Sequence, residues 1–172
     1  FLVGPDYATM LSTLATILVV GGAILCFPAW CVGTQFGILC FCLLTLFLGS
    51  FLAVSLTNPG IIPKQSKDAL DTVRTEMLER GEDEIHKRKV CEICNVLRPR
   101  RAFHCHTCGT CVEYMDHHCP WVNNCVGARN QKHFLLYVFY TGFFSFLSCG
   151  LVIANAVEHR DRIIRPGGDL LM

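Results

Sequence analysis

No charged residue stands between Asp6 and Lys64, and a second uncharged stretch runs from Phe134 to Val157. These stretches constrain the fold more than any other feature, because a helix needs roughly 20 apolar residues to cross a hydrocarbon core about 30 Å thick. The first is long enough for two spans and the second for one. Pro28, with Gly33 and Gln35, interrupts the first near its middle, so one helix is predicted over residues 8–27 and another over 36–57. A soluble fold of 172 residues could not wrap three such segments. The first span also reads poorly as a cleaved signal peptide, since no basic region leads it and another apolar segment follows at once.

The placement of charge orients these spans. Of the 15 Lys and Arg residues, 12 lie between Asn58 and His133, and the loop between the first two helices has none. Positive-inside bias then puts the N-terminus and the long middle segment in the cytosol. A net charge of +1 by itself says nothing about partners; no nucleic-acid partner is expected. Asn58-Pro59-Gly60 ends the second helix, the proline stopping it and the glycine permitting the turn, and Pro63 confirms the exit. Leu70, Val73, Met77 and Leu78 recur at helical spacing between a capping Ser66 and a terminating Gly81, which predicts a solvated helix packed on its neighbour. The expected organisation is a helical hairpin over 1–57, a cytosolic linker over 58–90, a cysteine-rich domain over 91–133, a third transmembrane helix over 134–157 and a tail over 158–172.

Twelve cysteines in a small secreted chain would suggest disulfides, but seven of these, with four histidines, fall within Cys91–Cys125 on the side assigned to the reducing cytosol. There such clusters bind metal or catalyse. Cys26, Cys31, Cys40, Cys42 and Cys149 lie in or beside the spans and read as small apolar packing residues. The cluster runs Cys91-x2-Cys94, then His104-Cys105-x2-Cys108-x2-Cys111, then Asp116-His117-His118-Cys119, then Cys125. Two tetrahedral zinc sites need eight ligands, and eleven candidates are available: the seven cysteines, His104, His106, His117 and His118. Spacing alone does not choose among them. A segment this poor in apolar residues cannot fold by itself, so metal is expected to contribute on the order of 10 kcal/mol or more per site.

The longer pattern contains Arg98-Pro99-x-Arg101-x2-His104-Cys105 and Asp116-His117-His118-Cys119-Pro120-Trp121-Val122-x-Asn124-Cys125-Val126-Gly127-x2-Asn130-x3-Phe134. From Cys91 to Phe134 it resembles the cysteine-rich domain of DHHC-family protein S-acyltransferases, or palmitoyltransferases. The resemblance implies an α-helical integral membrane protein whose cytosolic, zinc-stabilised, β-hairpin-rich domain is inserted between helices two and three. It implies one zinc on Cys91, Cys94, His104 and Cys111 and another on Cys105, Cys108, His118 and Cys125, two sets that interleave along the chain. Cys119, His117 and His106 are then left over.

A cysteine outside both sites is free to react, but a thiol with a pKa of about 8.5 is only slightly ionised at neutral pH. His117 is a candidate base two residues away and Asp116 a candidate to orient its ring. The resemblance implies a ping-pong reaction at the cytosolic membrane face: Cys119 takes a long-chain acyl group from acyl-CoA, typically palmitoyl-CoA, and a membrane-proximal cysteine of a protein substrate takes it from Cys119. Exchange of one thioester for another is nearly isoenergetic, so alignment matters more than driving force. Lipid suits the substrate, because each buried methylene contributes about 0.8 kcal/mol. Arg98, Arg100, Arg101, Arg129 and Lys132 are candidates to meet CoA phosphates, against the plainer reading as solvated charge. Among the aromatic residues of the third helix, the resemblance places a bulky cavity-end residue near Phe144.

Two rival zinc scaffolds, a FYVE-type lipid-binding domain and a RING-type ligase domain, share parts of the spacing but give no reason for a spare Cys-His-Asp group. The family's Asp-Pro-Gly turn is Asn58-Pro59-Gly60 here, which keeps the turn and loses one charge. The family's fourth helix and Thr-Thr-x-Glu motif are not in these 172 residues, and the chain begins at Phe1, so a fragment or a truncated, weakly active form is expected. Three spans would leave Arg160, Arg162 and Arg165 on the lumenal side.

Overall fold

The computed structural model describes residues 4–26, 33–81 and 90–164, with the side chains of 161–164 excluded. The turn read around Pro28, Cys31, the charged run over 82–89, and residues 165–172 with Arg165 lie outside the described residues. Three helices are long and apolar enough to cross a membrane: α1 (Tyr7–Cys26), α2 (Thr34–Leu56), and the stretch Gln131–Arg160 within the last helix. Between them come β1 (Ile61–Ile62), α3 (Lys67–Glu79), β2 (Val90–Cys91), β3 (Val96–Leu97), β4 (Phe103–Cys105), β5 (Thr110–Val112), β6 (His117–Cys119), a 3₁₀ turn (Pro120–Val122) and β7 (Asn124–Val126), then α4 (Gln131–Ile164). The fold class is that expected: apolar helices with small β-hairpins in a Cys/His-rich region between the second and the last.

The chain forms two compact units, Phe1–Thr13 with Phe51–Leu135, and Leu14–Ser50 with Leu136–Met172. The described residues of the second are helical apart from Gly33. Ile17, Gly21 and Ile24 of α1, Cys40, Leu43 and Phe47 of α2, and Phe144 and Leu151 of α4 are buried in it. A Cβ on Gly21 would lie 2.6 Å from a Leu44 methyl, so glycine is what allows that close approach. Phe47 stacks on Tyr137 at 5.7 Å between ring centroids and meets Phe144 at 6.0 Å. Val19, Phe41, Phe139 and Phe146 point outward, as expected where the surrounding solvent is lipid.

The other unit holds α3, the adjoining ends of the long helices and a set of hairpins too short to stand alone. β1, β5 and β4 form an antiparallel sheet, β2 pairs with β3, and β6 pairs with β7. The chain leaving α2 turns at Gly60 (φ 107°), where Asn58 Oδ1 accepts hydrogen bonds from the backbone N–H groups of Gly60 and Ile61. Asn58 thus makes the turn without needing a charge. Ile61 and Ile62 then pair with Val112 and Cys111. The segment 58–90 is therefore more than the expected linker, because a two-residue strand is defined by its distant partner rather than by its own pattern. α3 begins at Ser66, whose side chain accepts from the Ala69 N–H, and ends before Gly81 (φ 64°).

The last helix is longer than the uncharged stretch 134–157, starting at Gln131 and continuing through Ile164. Absence of charge limits a membrane span; it does not limit a helix, and Glu158, His159 and Arg160 continue the backbone ladder. The first part of the expected tail is thus helical.

Candidate active site and metal centres

Each metal-ligand set joins a turn to a cross-strand pair. The turn between β2 and β3 carries Cys91 and Cys94, with Asn95 in a left-handed conformation (φ 53°) closing it. The turn between β4 and β5 carries Cys105 and Cys108, closed by Gly109 (φ 66°), and the Cys108 N–H donates to Cys105 Sγ at 3.3 Å. Register supplies the other halves: His104 stands opposite Cys111, and His118 opposite Cys125. Adjacent residues on a strand face opposite ways, so His104 and Cys105 serve different clusters. That is why the two sets interleave.

The geometry fits zinc. Nδ1 of His104 lies 3.5, 3.3 and 3.7 Å from the sulfurs of Cys91, Cys94 and Cys111. Nδ1 of His118 lies 3.7, 3.3 and 3.5 Å from those of Cys105, Cys108 and Cys125. Tetrahedral zinc with bonds near 2.3 Å to sulfur and 2.0 Å to nitrogen would hold such atoms about 3.6 Å apart. Within each set all ligand atoms lie within 4.8 Å of one another, so each set could hold one metal ion.

The charges agree. The hydrogen bond with Cys125 draws the Cys108 thiol down to about 6, against the effect of burial and with help from His118, while the same bond and burial push Cys125 far up. Burial, then the neighbouring Cys91 and Cys94, likewise push Cys111 up. Once one thiol in a set ionises the next resists, so three thiolates at one point require a divalent cation. Burial, followed by His106, Lys64 and Arg98, lowers the pKa of His104 and keeps it in the neutral form a ligand needs.

Strand alternation also arranges the residues that the two sets leave over. On β6, His117 and Cys119 share one face and His118 takes the other, toward the metal-ligand set. Cys119 belongs to neither set and is buried, 6% exposed. Asp116 Oδ2 lies 3.4 Å from His117 Nδ1, and the His117 ring meets Phe134 edge-on at 5.0 Å. His106 stays outside both sets, its ring 5.0 Å from that of His104. Arg100, Arg101, Arg129 and Lys132 are exposed and Arg98 is half-buried, with Arg101 lying over the Tyr114 ring at 5.2 Å. Phe144 belongs to the helical unit.

This arrangement has relatives. The family model for the DHHC palmitoyltransferase matches residues 84–166. Residues 84–166 thus carry the match to the DHHC family. Palmitoyltransferase ZDHHC7 of Mus musculus is 41% identical over 127 residues, covering 71% of this chain and 39% of that protein. Probable protein S-acyltransferase 14 of Arabidopsis thaliana is 40% identical over 128 residues, covering 68% of this chain and 40% of that protein. Palmitoyltransferase ZDHHC3 of Homo sapiens is 40% identical over 115 residues, covering 66% and 35%. The chain thus spans about two fifths of the length of the first two relatives.

Two residues, one in this segment and one that reaches it from before the first helix, had no role in the sequence reading. Asn124, directly across from Cys119, donates through Nδ2 to the carbonyls of Val54, Ser55 and Thr57 and so caps the end of α2. Asp6 places Oδ2 2.7 Å from Nε2 of His118, on the side of the ring away from the sulfurs. The only signal available for Asp6 was its isolation, as the single charged residue before Lys64.

Proposed function

We propose that the protein containing this chain is a protein-cysteine S-palmitoyltransferase, which moves a long-chain acyl group from acyl-CoA to protein cysteines through a thioester on Cys119. The observation that carries this reading is the position of Cys119: outside both metal-ligand sets, on the strand face it shares with His117. In this reading Cys91, Cys94, His104 and Cys111 hold one zinc, and Cys105, Cys108, His118 and Cys125 hold the other. Zinc supplies structural cross-links, about 10 kcal/mol or more per ion. The reacting groups belong to the chain.

His117 takes the proton of Cys119, and Asp116 orients the imidazole and stabilises its cation. The Cys119 sulfur attacks the thioester carbonyl, a new carbon–sulfur bond forms, and the bond to CoA breaks. His117 returns the proton to the departing CoA sulfur. A thiolate of the protein substrate then attacks the Cys119 thioester and restores the free cysteine. Burial of Cys119 favours the two transfers over hydrolysis by restricting water. The acyl chain partitions into apolar surroundings, and bulky Phe144 is the candidate to set the chain length accepted. Arg129 and Lys132 offer charge to CoA phosphates. The site faces the cytosol, on the side where Lys and Arg concentrate.

The test is acylation of purified full-length protein by an alkyne-tagged palmitoyl-CoA analogue. A hydroxylamine-sensitive adduct is expected, lost in Cys119→Ala while two zinc ions per chain remain. An adduct that persists on another cysteine, or zinc lost with Cys119, would refute the assignment.

A further inference from the structure

The two metal-ligand sets are built to one plan but differ on the outer side of their histidines. His104 and His118 both turn Nδ1 toward three sulfurs, which leaves Nε2 facing away. Beside His104 the neighbouring ring is His106, and no carboxylate pairs with it among the described residues. Beside His118 stands Asp6, 2.7 Å away. Both side chains of that pair are largely buried, 12% exposed for His118 and 31% for Asp6.

Asp6 is not there by chance of a flexible side chain. Its backbone N–H donates to Asn123 Oδ1 at 2.6 Å, and the Gly4 N–H donates to the Asn123 carbonyl at 3.0 Å. Asn123 is fully buried and left-handed (φ 51°), in the turn that joins β6 to β7. A Cβ on Gly4 would lie 2.8 Å from both Asn123 oxygens, so the strap of residues 4–6 fits that turn only with glycine at its head. An aspartate just before a helix ordinarily caps it, but here Oδ2 is turned onto His118.

We propose that Asp6 is the outer partner of the second metal centre and a positioning residue for the acyl transfer: its carboxylate fixes the tautomer and ring orientation of His118, and the 4–6 strap thereby holds the strand that carries Cys119. The inference rests on the two-metal reading above. When Nδ1 binds a cation the imidazole proton sits on Nε2, and that proton is what Asp6 accepts. A hydrogen-bonded carboxylate raises the basicity of the ligating nitrogen and keeps the ring aimed, and losing such a partner typically costs about 10–100-fold in metal affinity or activity. Among the described residues no carboxylate stands beside His104, so the effect is expected at one of the two ions.

The experiment follows release of zinc from full-length protein to a chromophoric chelator, together with acylation of Cys119. Asp6→Asn should release one ion about 10–100-fold faster and leave the other unchanged, with acylation slowed in parallel and partly rescued by Asp6→Glu. Gly4→Ala alters no ligand and should accelerate the same ion by a smaller factor, so it reads the strap even if Asp6→Asn does not fold. Unchanged release from both variants that fold, or equal acceleration of both ions, overturns the role of Asp6. Fewer than two ions in the parent protein would instead overturn the metal reading, and this proposal with it.

Discussion

The set around His104 and the set around His118 have the same composition, three cysteines and one histidine, and the same construction from one turn and one cross-strand pair. They differ in what lies next to them. The first is flanked by α3: Arg74 on that helix pairs with Glu92 at 3.0 Å, and the Gln65 N–H donates to the Cys94 carbonyl. These are surface and scaffold contacts. The second shares its strand with Cys119, its hairpin with the Asn124 cap on α2, and its histidine with Asp6. In the proposed reading identical ligands do different jobs: the first set closes the domain, and the second also orients Cys119.

Removing both metals should erase the difference and produces the largest effect. Strong chelation is expected to unfold Cys91–Cys125 in one cooperative step, at a cost of about 10 kcal/mol or more per ion. A thiol reagent should then react with all seven cysteines of the segment, the six ligands of both sets and the buried Cys119. Two separate steps would show that β4, which carries His104 of one set and Cys105 of the other, does not couple them.

Breaking one set at a time sharpens the comparison. His104→Ala and His118→Ala should each lose about one metal and some stability, as expected when a metal site is broken. The acyl adduct should fall further in His118→Ala, since only that change frees the strand of Cys119. Equal loss of adduct would place both sets in a purely scaffolding role.

Next come the groups on the far face of β6. His117→Ala should keep both ions while slowing acyl transfer by about 10²- to 10⁴-fold, the range for loss of a general base. Single-turnover kinetics with zinc analysis on the same sample decides it; loss of metal would make His117 a ligand. The smallest effect is expected at Asn124→Ala, which takes the Asn124 donor from the Ser55 and Thr57 carbonyls at the end of α2 while Val54 keeps its bond from Asn130. That should cost about 1–3 kcal/mol in denaturant unfolding with metal content unchanged.

Much of this molecule could be read from order along the chain. A 20-residue apolar requirement and the absence of charge located all three spans, and the serine cap and glycine stop located α3 within a residue or two. The last helix was read short because the uncharged stretch marks what lipid tolerates, while the helix itself continues into Glu158, His159 and Arg160. β1 was not read at all, since Ile61-Ile62 becomes a strand only against Val112 and Cys111.

The sequence by itself determined which residues can do chemistry: the Cys and His types suited to zinc, and a cysteine two residues from a histidine, which any extended strand puts on one face. These depend on residue type and short spacing, both written locally. Only the tertiary structure decided which carboxylate stands behind which histidine and which side chain caps α2. Asp6 and His118 are 112 residues apart, and Asn124 lies about 70 residues from the carbonyls it caps. No periodic pattern encodes such pairs, because the geometry that joins them is set by the register of strands and the left-handed turn at Asn123, and these form only when the chain has closed on itself.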